Sequence, residues 1–451
     1  MIPPMRRLAL FLLVAAAFFA GLAADHVASA ARRTHAQPYR PLDVFSDVLA
    51  HVENSYVEDV DEKELVYGAI DGLMARLDPH SVFMRPDVYR QMRDDTTGEF
   101  DGLGLELTVQ DGELTVITPV VESPGERAGI RPGDRVLSID GAATKEMSLG
   151  EATRRLKGAA GTKVALEIMR EGFTAPQKLV LVRDRIRTQS VDVRVLDPAR
   201  RYAYVRIRAF QERTDKSLVK ALDDARAQLG GPLRGLVLDL RNNPGGLLDQ
   251  AVRVSDVFLS NGVIVTTAGR NRRNVEVERA HEKDTEPGYP IIVLVNKGTA
   301  SASEIVAGAL QDQGRAVIMG TTTFGKGSVQ TIIELEDGSG LKLTVARYYT
   351  PRNRSIQERG IVPDVLVADG AGPRAEDAQP GERELKRHLR NDGPPALSGA
   401  PAIGPAPVPT AASVGPRAGE DFQVRTAVDY LKAVDILKAS GGESPRGGTF
   451  K

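Results

Sequence analysis

The spacing of apolar residues divides the chain into regions with different predicted structures. Residues 40–95 carry apolar side chains at helical spacing, and Asp78-Pro79 is a signal that ends a helix. Residues 98–184 instead hold short strand-like runs separated by turns. Between 186 and 368, strand-like and helix-like runs alternate, which is typical of an α/β sheet with helices packed on it. The pattern therefore predicts a multidomain α/β protein with a helical N-terminal segment and a β-rich module before the core.

The C-terminal part follows a different pattern. Residues 370–417 are dominated by Ala, Pro, Gly and charged side chains, a composition that predicts a disordered linker without a core. Residues 420–439 then form a predicted amphipathic helix with Val424 and Leu431 on its apolar stripe. We expect this stripe to pack back onto the core or to bind another chain. The part after Gly370 should therefore be dispensable for the chemistry of the core.

The first residues have the features of an export signal. Arg6 and Arg7 precede an uncharged apolar run, Leu8 to Ala24, and Ala28-Ser29-Ala30 offers a small-residue cleavage site. A cleaved signal peptide over 1–30 and an uncleaved membrane anchor are both consistent with this pattern, and an ordinary buried helix is the third interpretation. The first two place the remaining chain in the periplasm or cell envelope.

Composition excludes several classes of function. Lys and Arg number 59 against 60 Asp and Glu, so nothing suggests a nucleic-acid partner. The absence of Cys excludes disulfides, thiolate metal sites and a cysteine nucleophile. The 6 His are scattered and no H-E-x-x-H occurs, so we expect neither a metal nor another cofactor.

A serine at the start of a predicted helix is the first candidate for catalysis. In Ser301-x-x-Glu304 the spacing matches a capping box, which would explain both residues without any chemistry. A hydroxyl at a helix start is also accessible, and there the Ala302 amide and the helix dipole face the place where an oxyanion would form. Ser303 is the neighbouring candidate, and chemistry alone does not exclude it.

A lysine between two glycines, Lys326, is the candidate base for that serine. The only histidine between 186 and 370 is His281, in a polar segment, so the base need not be histidine. Burial can lower the pKa of a lysine by up to roughly 3–5 units, which would free its amine near neutral pH. If the glycines bend the chain, Gln330 could hold this amine by a hydrogen bond.

Two further glycine-containing segments each have two interpretations. The turn RNNPGG, 241–246, is either a plain strand-to-helix turn or a source of oxyanion donors at Gly245 and Gly246. The run from Gly320 to Lys326 matches the first seven positions of a phosphate-binding loop. Its eighth position is Gly327, however, so the hydroxyl that would bind Mg²⁺ is missing.

Several motifs in order give a specific resemblance over residues 40–368. The chain resembles the bacterial carboxyl-terminal processing peptidases, also called tail-specific proteases, in FDGLGLEL, SPGERAGIRPGDRVLSIDG, LVLDLRNNPGG, SASEIVAGALQD, FGKGSVQ and GIVPDV. The resemblance implies a PDZ domain at 98–184 before a Ser/Lys protease core at 186–368. It also implies binding of substrate C-termini. Independently of the resemblance, the N- and C-terminal helices could bind an adaptor or a second copy of the chain.

The resemblance also implies roles for individual residues. The nucleophile falls on Ser301 rather than Ser303, the base on Lys326 and its orienting partner on Gln330. The oxyanion role falls on Gly245, Gly246 and Ala302. In such PDZ domains the GLGL segment, here Gly102, Leu103, Gly104 and Leu105, binds the terminal carboxylate of the substrate through its N–H groups.

One position departs from the family pattern. Relatives often have arginine where this chain has Lys157, and the resemblance implies that this position couples the PDZ domain to the active site. The sequence as a whole predicts an exported serine endopeptidase that cuts proteins near unstructured C-termini. The alternative is a non-enzymatic PDZ scaffold that binds protein C-termini in the cell envelope.

Overall fold

The computed structural model describes residues 40–368, 380–392 and 421–440, so the predicted signal or anchor at 1–30 lies outside the described residues. The chain divides into two compact units, Met1–Leu73 and Met74–Lys451. In the described part of the first unit, helix α1 spans Arg40–Ser55 and helix α2 begins at Glu62 and ends at Met74. Within the described ranges, no helix is both long and apolar enough to cross a membrane.

The region predicted as helical up to residue 95 also contains a strand. Strand β1, Val82–Met84, precedes helix α3, Pro86–Thr97, and pairs antiparallel with a strand of the core near residues 340–342. The prediction of an entirely helical segment was wrong here. The partner of β1 is far away in the sequence, and no local pattern of three residues reveals such a pairing.

The β-rich module forms its own sheet and core. A five-strand path, β3-β4-β5-β7-β8, is extended by β6 on β5, and a separate two-stranded ribbon pairs β2 with β9. The core beneath the sheet includes Leu103, Val116, Ile139 and Leu166. The strands are β2 Glu99–Gly102, β3 Leu105–Gln110, β4 Glu113–Pro119, β5 Arg135–Ile139, β6 Ala142–Ala143, β7 Lys163–Met169, β8 Gln177–Val182 and β9 Asp184–Arg187, and the helices are α4 Pro124–Arg127 and α5 Leu149–Leu156.

The core after residue 190 contains two sheets. One has the order β10-β11-β12-β15-β16-β19, parallel except for the edge strand β10, and the other has the order β1-β18-β13-β14 with β17 also on β18. The strands are β10 Val191–Asp197, β11 Tyr202–Ile207, β12 Gly235–Asp239, β13 Val263–Gly269, β14 Glu276–Arg279, β15 Ile291–Val295, β16 Val317–Gly320, β17 Ser328–Glu334, β18 Gly340–Tyr349 and β19 Val365–Leu366. The helices are α6 Thr214–Leu229, α7 Leu248–Phe258 and α8 Ala302–Asp312, with a 3₁₀ turn at Arg270–Arg272.

Alternating residues of the parallel strands build two cores. Leu236 and Leu238 of β12 pack with α6, α7 and α8 in the larger core, whereas Val237 between them belongs to the smaller one. Because successive side chains of a strand point to opposite faces, the sheet is covered on both sides. The predicted architecture is confirmed: an N-terminal helical segment, a β-rich module and an α/β core.

The terminal helix α9, Phe422–Ser440, packs back onto the core, which is one of the two predicted outcomes. Its residues Val424, Ala427 and Leu431 are buried in the smaller core of the sheet. At its N-terminal end the Asp421 carboxylate lies 2.6 Å from the guanidinium of Arg241. Further along the helix, the Tyr202 hydroxyl donates to the Asp435 carboxylate at 2.5 Å, whereas the side chains of Ile436 and Leu437 are exposed.

Residues 380–392 are packed against the core although they lie inside the predicted linker. This segment, which we name the strap, contains a 3₁₀ turn at Glu382–Glu384, and both Gly381 and Glu382 are buried. The linker prediction was wrong for these residues, because it was based on average composition whereas the strap is held by individual polar contacts. The rest of the predicted linker, 370–379 and 393–417, lies outside the described residues.

Replacement of Leu431 by alanine should lower the thermal stability of the core. Leu431 is 0% exposed, and deletion of a buried leucine side chain typically costs about 2–5 kcal/mol. Leu437→Ala is the matched control, because Leu437 on the same helix is 71% exposed and its loss should cost no more than about 0.5 kcal/mol. Equal melting temperatures for both variants would contradict the packing of α9 on the sheet.

Candidate active site

Ser301 occupies a strained position just before helix α8. Its backbone angles are φ 56° and ψ −118°, a region that residues with a side chain rarely adopt and that costs of order 1–3 kcal/mol. The Glu304 amide donates to the Ser301 carbonyl oxygen at 2.8 Å, and the Glu304 carboxylate accepts from the Ser301 amide at 2.9 Å. The two residues thus form the capping box that their spacing predicts, and this box does not exclude a further role for either side chain.

The carboxylate of Glu304 connects the helix start to the loop that carries Lys326. Its Oε2 accepts from the Ser301 amide at 2.9 Å and from the Lys326 amide at 2.9 Å, so the two backbone nitrogens are at most about 6 Å apart. Its Oε1 accepts from the Thr323 hydroxyl at 2.5 Å and from the Gly325 amide at 2.8 Å. Burial raises the pKa of Glu304 to about 7, and the four hydrogen bonds oppose this rise.

Tyr348 of β18 makes a second connection between the same two residues. Its buried hydroxyl donates to the Lys326 carbonyl oxygen and is also hydrogen-bonded to the Ser301 side chain. Burial raises the pKa of Tyr348 well above its usual value, so it remains a neutral phenol. The serine and the lysine predicted from separate motifs are thus brought together by side chains of two other elements.

Lys326 is half-buried in the loop 321–327, which we name the lysine loop. Burial lowers the pKa of its ammonium to about 8, and the positive charge of Lys342 lowers it further, while the carboxylates of Glu382, Glu304 and Asp78 oppose the shift. Among the described residues, none forms a hydrogen bond or ion pair with the Lys326 ammonium. A large fraction of this side chain is therefore a neutral amine in mildly basic solution.

Gln330 lies on β17, directly after an irregularity in the pairing of β17 with β18 at Val329. Its Nε2 donates to the Ser328 hydroxyl at 2.9 Å and to the Thr344 hydroxyl at 3.3 Å. The predicted hydrogen bond with Lys326 is not formed in this structure. Because the nitrogen is used in two bonds, the amide oxygen of Gln330 is the atom left to accept from a third partner.

The two glycines of the 241–246 turn have different roles. A Cβ on Gly245 would lie 2.8 Å from the Ser301 Cβ, which shows that the turn touches the nucleophile candidate. The Gly245 amide, however, donates to the Asn243 side chain at 2.9 Å, so it is not available as the predicted oxyanion donor in this conformation. Within the described residues, the amides of Gly246 and Ala302 donate to no backbone carbonyl oxygen.

Other candidates from the sequence have structural partners instead. Ser303 is buried and donates its hydroxyl to the Asn243 carbonyl oxygen at 3.0 Å, while His281 is exposed beside Asp256. The resemblance to a phosphate-binding loop has no counterpart in the structure. Two amides that would bind a phosphate, those of Gly325 and Lys326, donate to Glu304.

The GLGL segment of the PDZ module is held by its carbonyl groups. The Leu103 carbonyl accepts from the Gly125 amide at 2.9 Å, and the Gly104 carbonyl accepts from the Val120 amide at 2.8 Å. In the described part of the chain, the amides of Leu103 and Gly104 donate to no backbone carbonyl oxygen. Gly104 has φ 69°, and a Cβ there would lie 2.3 Å from the Ser123 Cβ, so only glycine fits.

Lys157, at the C-terminal end of α5, contacts the helix that joins the PDZ module to the core. Its ammonium lies 2.9 Å from the Asp94 carboxylate on α3 and 5.0 Å from the centre of the Phe100 ring. The residue predicted to couple the two domains therefore lies at their covalent connection. Its partner Asp94 gave no signal in the sequence.

Tyr348, Thr323 and the bridging role of Glu304 were missed by the sequence analysis. Glu304 had been noted only as a capping residue, and its distance from Lys326 along the chain hides their contact. Tyr348 lies in a strand pattern in which an aromatic residue is ordinary. No local signal in the sequence would have distinguished it.

Comparisons with known proteins agree with this architecture. Residues 201–367 match the description "Peptidase family S41", residues 116–170 match "PDZ domain", and residues 15–88 match "Activating protease CtpB N-terminal domain". A carboxy-terminal-processing protease of Bartonella bacilliformis is 43% identical over 355 residues, which cover 78% of this chain and 81% of that protein. A carboxyl-terminal-processing protease of Synechocystis sp. is 39% identical, over 72% of this chain and 77% of that protein.

A solved structure described as photosystem II D1 C-terminal processing protease is 33% identical and covers 72% of this chain and 92% of its own, with a TM-score of 0.42. The domains and the relatives define a PDZ-containing peptidase of family S41. The chain belongs to the carboxy-terminal processing proteases. The resemblance predicted from its motifs is thus confirmed, and so is its assignment to the enzymes rather than to non-enzymatic scaffolds.

The lowered pKa of Lys326 should be measurable without any substrate. Trace labelling with acetic anhydride reports the neutral amine, and half-maximal labelling of Lys326 is expected near pH 8 because burial disfavours the ammonium. Peptide mass spectrometry locates the label, and Lys326→Arg serves as a control that removes the signal. Labelling that rises only near pH 10, as for an ordinary lysine, would contradict the described environment.

Proposed function

We propose that this peptidase is exported and cleaves proteins near unstructured C-termini, with Ser301 as nucleophile and Lys326 as general base. The observation that carries the proposal is the Glu304 carboxylate, which accepts from the amides of both residues. The export part is based only on the residues 1–30 of the sequence, which have the pattern of a signal peptide or membrane anchor.

The chemistry of the proposed dyad follows from the state of its two side chains. The neutral amine of Lys326 accepts the hydroxyl proton of Ser301 while the serine oxygen attacks the scissile carbonyl carbon. A tetrahedral oxyanion forms and then collapses to an acyl-enzyme, and the Lys326 ammonium returns its proton to the leaving amine. A water molecule, deprotonated by the same lysine, then releases the acyl group.

The oxyanion is stabilised in this proposal by two amides close to the nucleophile. The Ala302 amide is the first of helix α8 and has no acceptor within the helix, and the Gly246 amide donates to no backbone carbonyl among the described residues. Donors of this kind contribute most when they are fixed before the reaction. The contact of Gly245 with Ser301 supports this placement, although the Gly245 amide itself is held by Asn243.

Gln330 is proposed to orient the lysine amine through its side-chain oxygen. The Thr344 hydroxyl that accepts from Gln330 donates in turn to the Asp78 carboxylate at 3.1 Å. This chain of bonds fixes which end of the amide is the donor. In this proposal the remaining oxygen of Gln330 accepts a hydrogen bond from the Lys326 amine.

Recognition of the substrate tail is assigned to the PDZ module. The unoccupied amides of Leu103 and Gly104 form a suitable nest for a terminal carboxylate. Lys157 is proposed to pass the presence of a bound tail to the core, because it binds Asp94 on α3, the helix between β1 and β2. An ammonium provides this ion pair as well as a guanidinium would, but with fewer donors.

Ser301→Ala should abolish hydrolysis of an unfolded protein such as casein and leave the fold intact. The change removes the nucleophilic oxygen, whereas the Ser301 amide that Glu304 accepts from is retained. Ser303→Ala is the matched control and should retain turnover, with a small loss of stability because its hydroxyl bonds only to a backbone carbonyl. An active Ser301→Ala enzyme together with an inactive Ser303→Ala enzyme would transfer the role to Ser303.

A peptide with a free apolar C-terminus should be cleaved with a higher kcat/KM than the same peptide with an amidated end. Amidation removes the charge that the Leu103 and Gly104 amides are proposed to bind. The comparison is made at one ionic strength with both peptides. Equal kcat/KM values would argue against selection of substrates by the PDZ module.

A further inference from the structure

The strap, residues 380–392, lies directly against the lysine loop. The Glu382 amide donates to the Phe324 carbonyl oxygen at 3.1 Å. Gly381 is close enough that a Cβ there would lie 3.5 Å from the same oxygen. The strap follows the region that matches the peptidase family, which ends at residue 367.

A relay of side chains extends this contact to Gly327. The Glu382 carboxylate, which is 0% exposed, accepts from the Gln357 side-chain nitrogen at 2.7 Å. The Gln357 side-chain oxygen in turn accepts from the Gly327 amide at 2.9 Å. A Cβ on Gly327 would lie 2.5 Å from the Gln357 backbone nitrogen, so the loop and the relay are in close contact.

The other carboxylate oxygen of Glu382 lies 2.7 Å from the Nε2 atom of His80. His80 is in the segment before β1, where its amide also donates to Asp78 at 2.9 Å. Glu382 therefore connects three separate parts of the chain: the segment before β1, the segment before β19 and the strap itself. Burial of a carboxylate is costly unless it is paired, and here both of its oxygens have partners.

The far end of the strap is anchored independently. His388 lies 2.6 Å from the Glu358 carboxylate, and the Asn391 amide donates to the same carboxylate at 2.8 Å. Asp392 lies 2.9 Å from the guanidinium of Arg347 on β18. The strap is thus held at both ends, while the Glu382 amide donates to the lysine loop and the Glu382 carboxylate contacts the side chains of Gln357 and His80.

We propose that the strap completes the active site, and that Glu382 is a positioning residue that fixes the lysine loop through Gln357. This proposal rests on the proposed function, in which Lys326 is the base. Glu304 holds the loop from the side of helix α8, and Glu382 holds it through Gln357. Deletion of everything after Gly370 should therefore reduce hydrolysis even of short peptides, in contrast to the expectation from the sequence.

The pH dependence of kcat/KM distinguishes this proposal from a purely structural role of Glu382, because the charge of Glu382 acts on the pKa of Lys326. The negative charges of Glu382, Glu304 and Asp78 raise its pKa, while burial and the positive charge of Lys342 lower it. Removal of the Glu382 charge therefore lowers the pKa of Lys326 further. Because the neutral amine is the active form, the rising limb of kcat/KM then moves to lower pH.

The test uses the full-length protein with Glu382→Ala and Glu382→Gln. The alanine variant loses the relay, and we expect kcat to fall about 10- to 100-fold with little change in KM, because a displacement of the base by about 1 Å can cost a factor of 100. Glutamine can still accept from Gln357, so it should restore most of kcat, while its rising limb moves to lower pH. Glu384→Gln, on the exposed side of the same 3₁₀ turn, is the control and should behave as the wild type.

Two outcomes decide the proposal. If both Glu382 variants retain the wild-type kcat and pH profile, the positioning role is refuted. If the alanine variant does not fold, the glutamine variant decides the question. A rising limb of kcat/KM that moves to lower pH supports the proposal, and a limb at the wild-type pH overturns it. Failure of the proposed function itself would appear separately, as an active Ser301→Ala enzyme.

Discussion

The arrangement of the active site depends on one buried carboxylate. Glu304 is completely enclosed, and its four hydrogen bonds come from the strained Ser301, from Thr323 and from two successive amides of the lysine loop. A carboxylate has two acceptor oxygens and no donor, so it can accept from four donors at once. The cost of its burial is offset by these bonds, and their loss would separate Ser301 from Lys326.

Three layers of structure converge on the lysine loop. Helix α8 supplies Glu304 from one side, β18 supplies Tyr348, and the strap reaches the loop through Gln357. Helix α8 is itself packed in the larger core of the parallel sheet, so its position is set by hydrophobic contacts. Lys326, the proposed base, is consequently held through its backbone by residues from distant parts of the chain, while no described residue is hydrogen-bonded to its ammonium.

The sequence predicted the parts of this arrangement that depend on local pattern. The α/β alternation, the glycine-flanked lysine and the serine at a helix start are all properties of short segments. The packing of α9 was one of two predicted outcomes, since an apolar stripe must be covered by something. Strand β1 and the strap were missed because their partners are remote in sequence. The Gly245 amide was assigned a role that its neighbour Asn243 prevents, and only the three-dimensional geometry shows this.

The most direct test of the account is the kcat of Glu304→Gln, measured with a short peptide alongside its melting temperature. The glutamine has nearly the same shape, but one oxygen becomes an NH₂ group that faces two hydrogen-bond donors. We predict a folded enzyme whose kcat is lower by about 100-fold or more, since the hydrogen bonds that fix Ser301 relative to Lys326 are lost. A kcat within about twofold of the wild type, in a folded variant, would contradict the claim that this carboxylate organises the site.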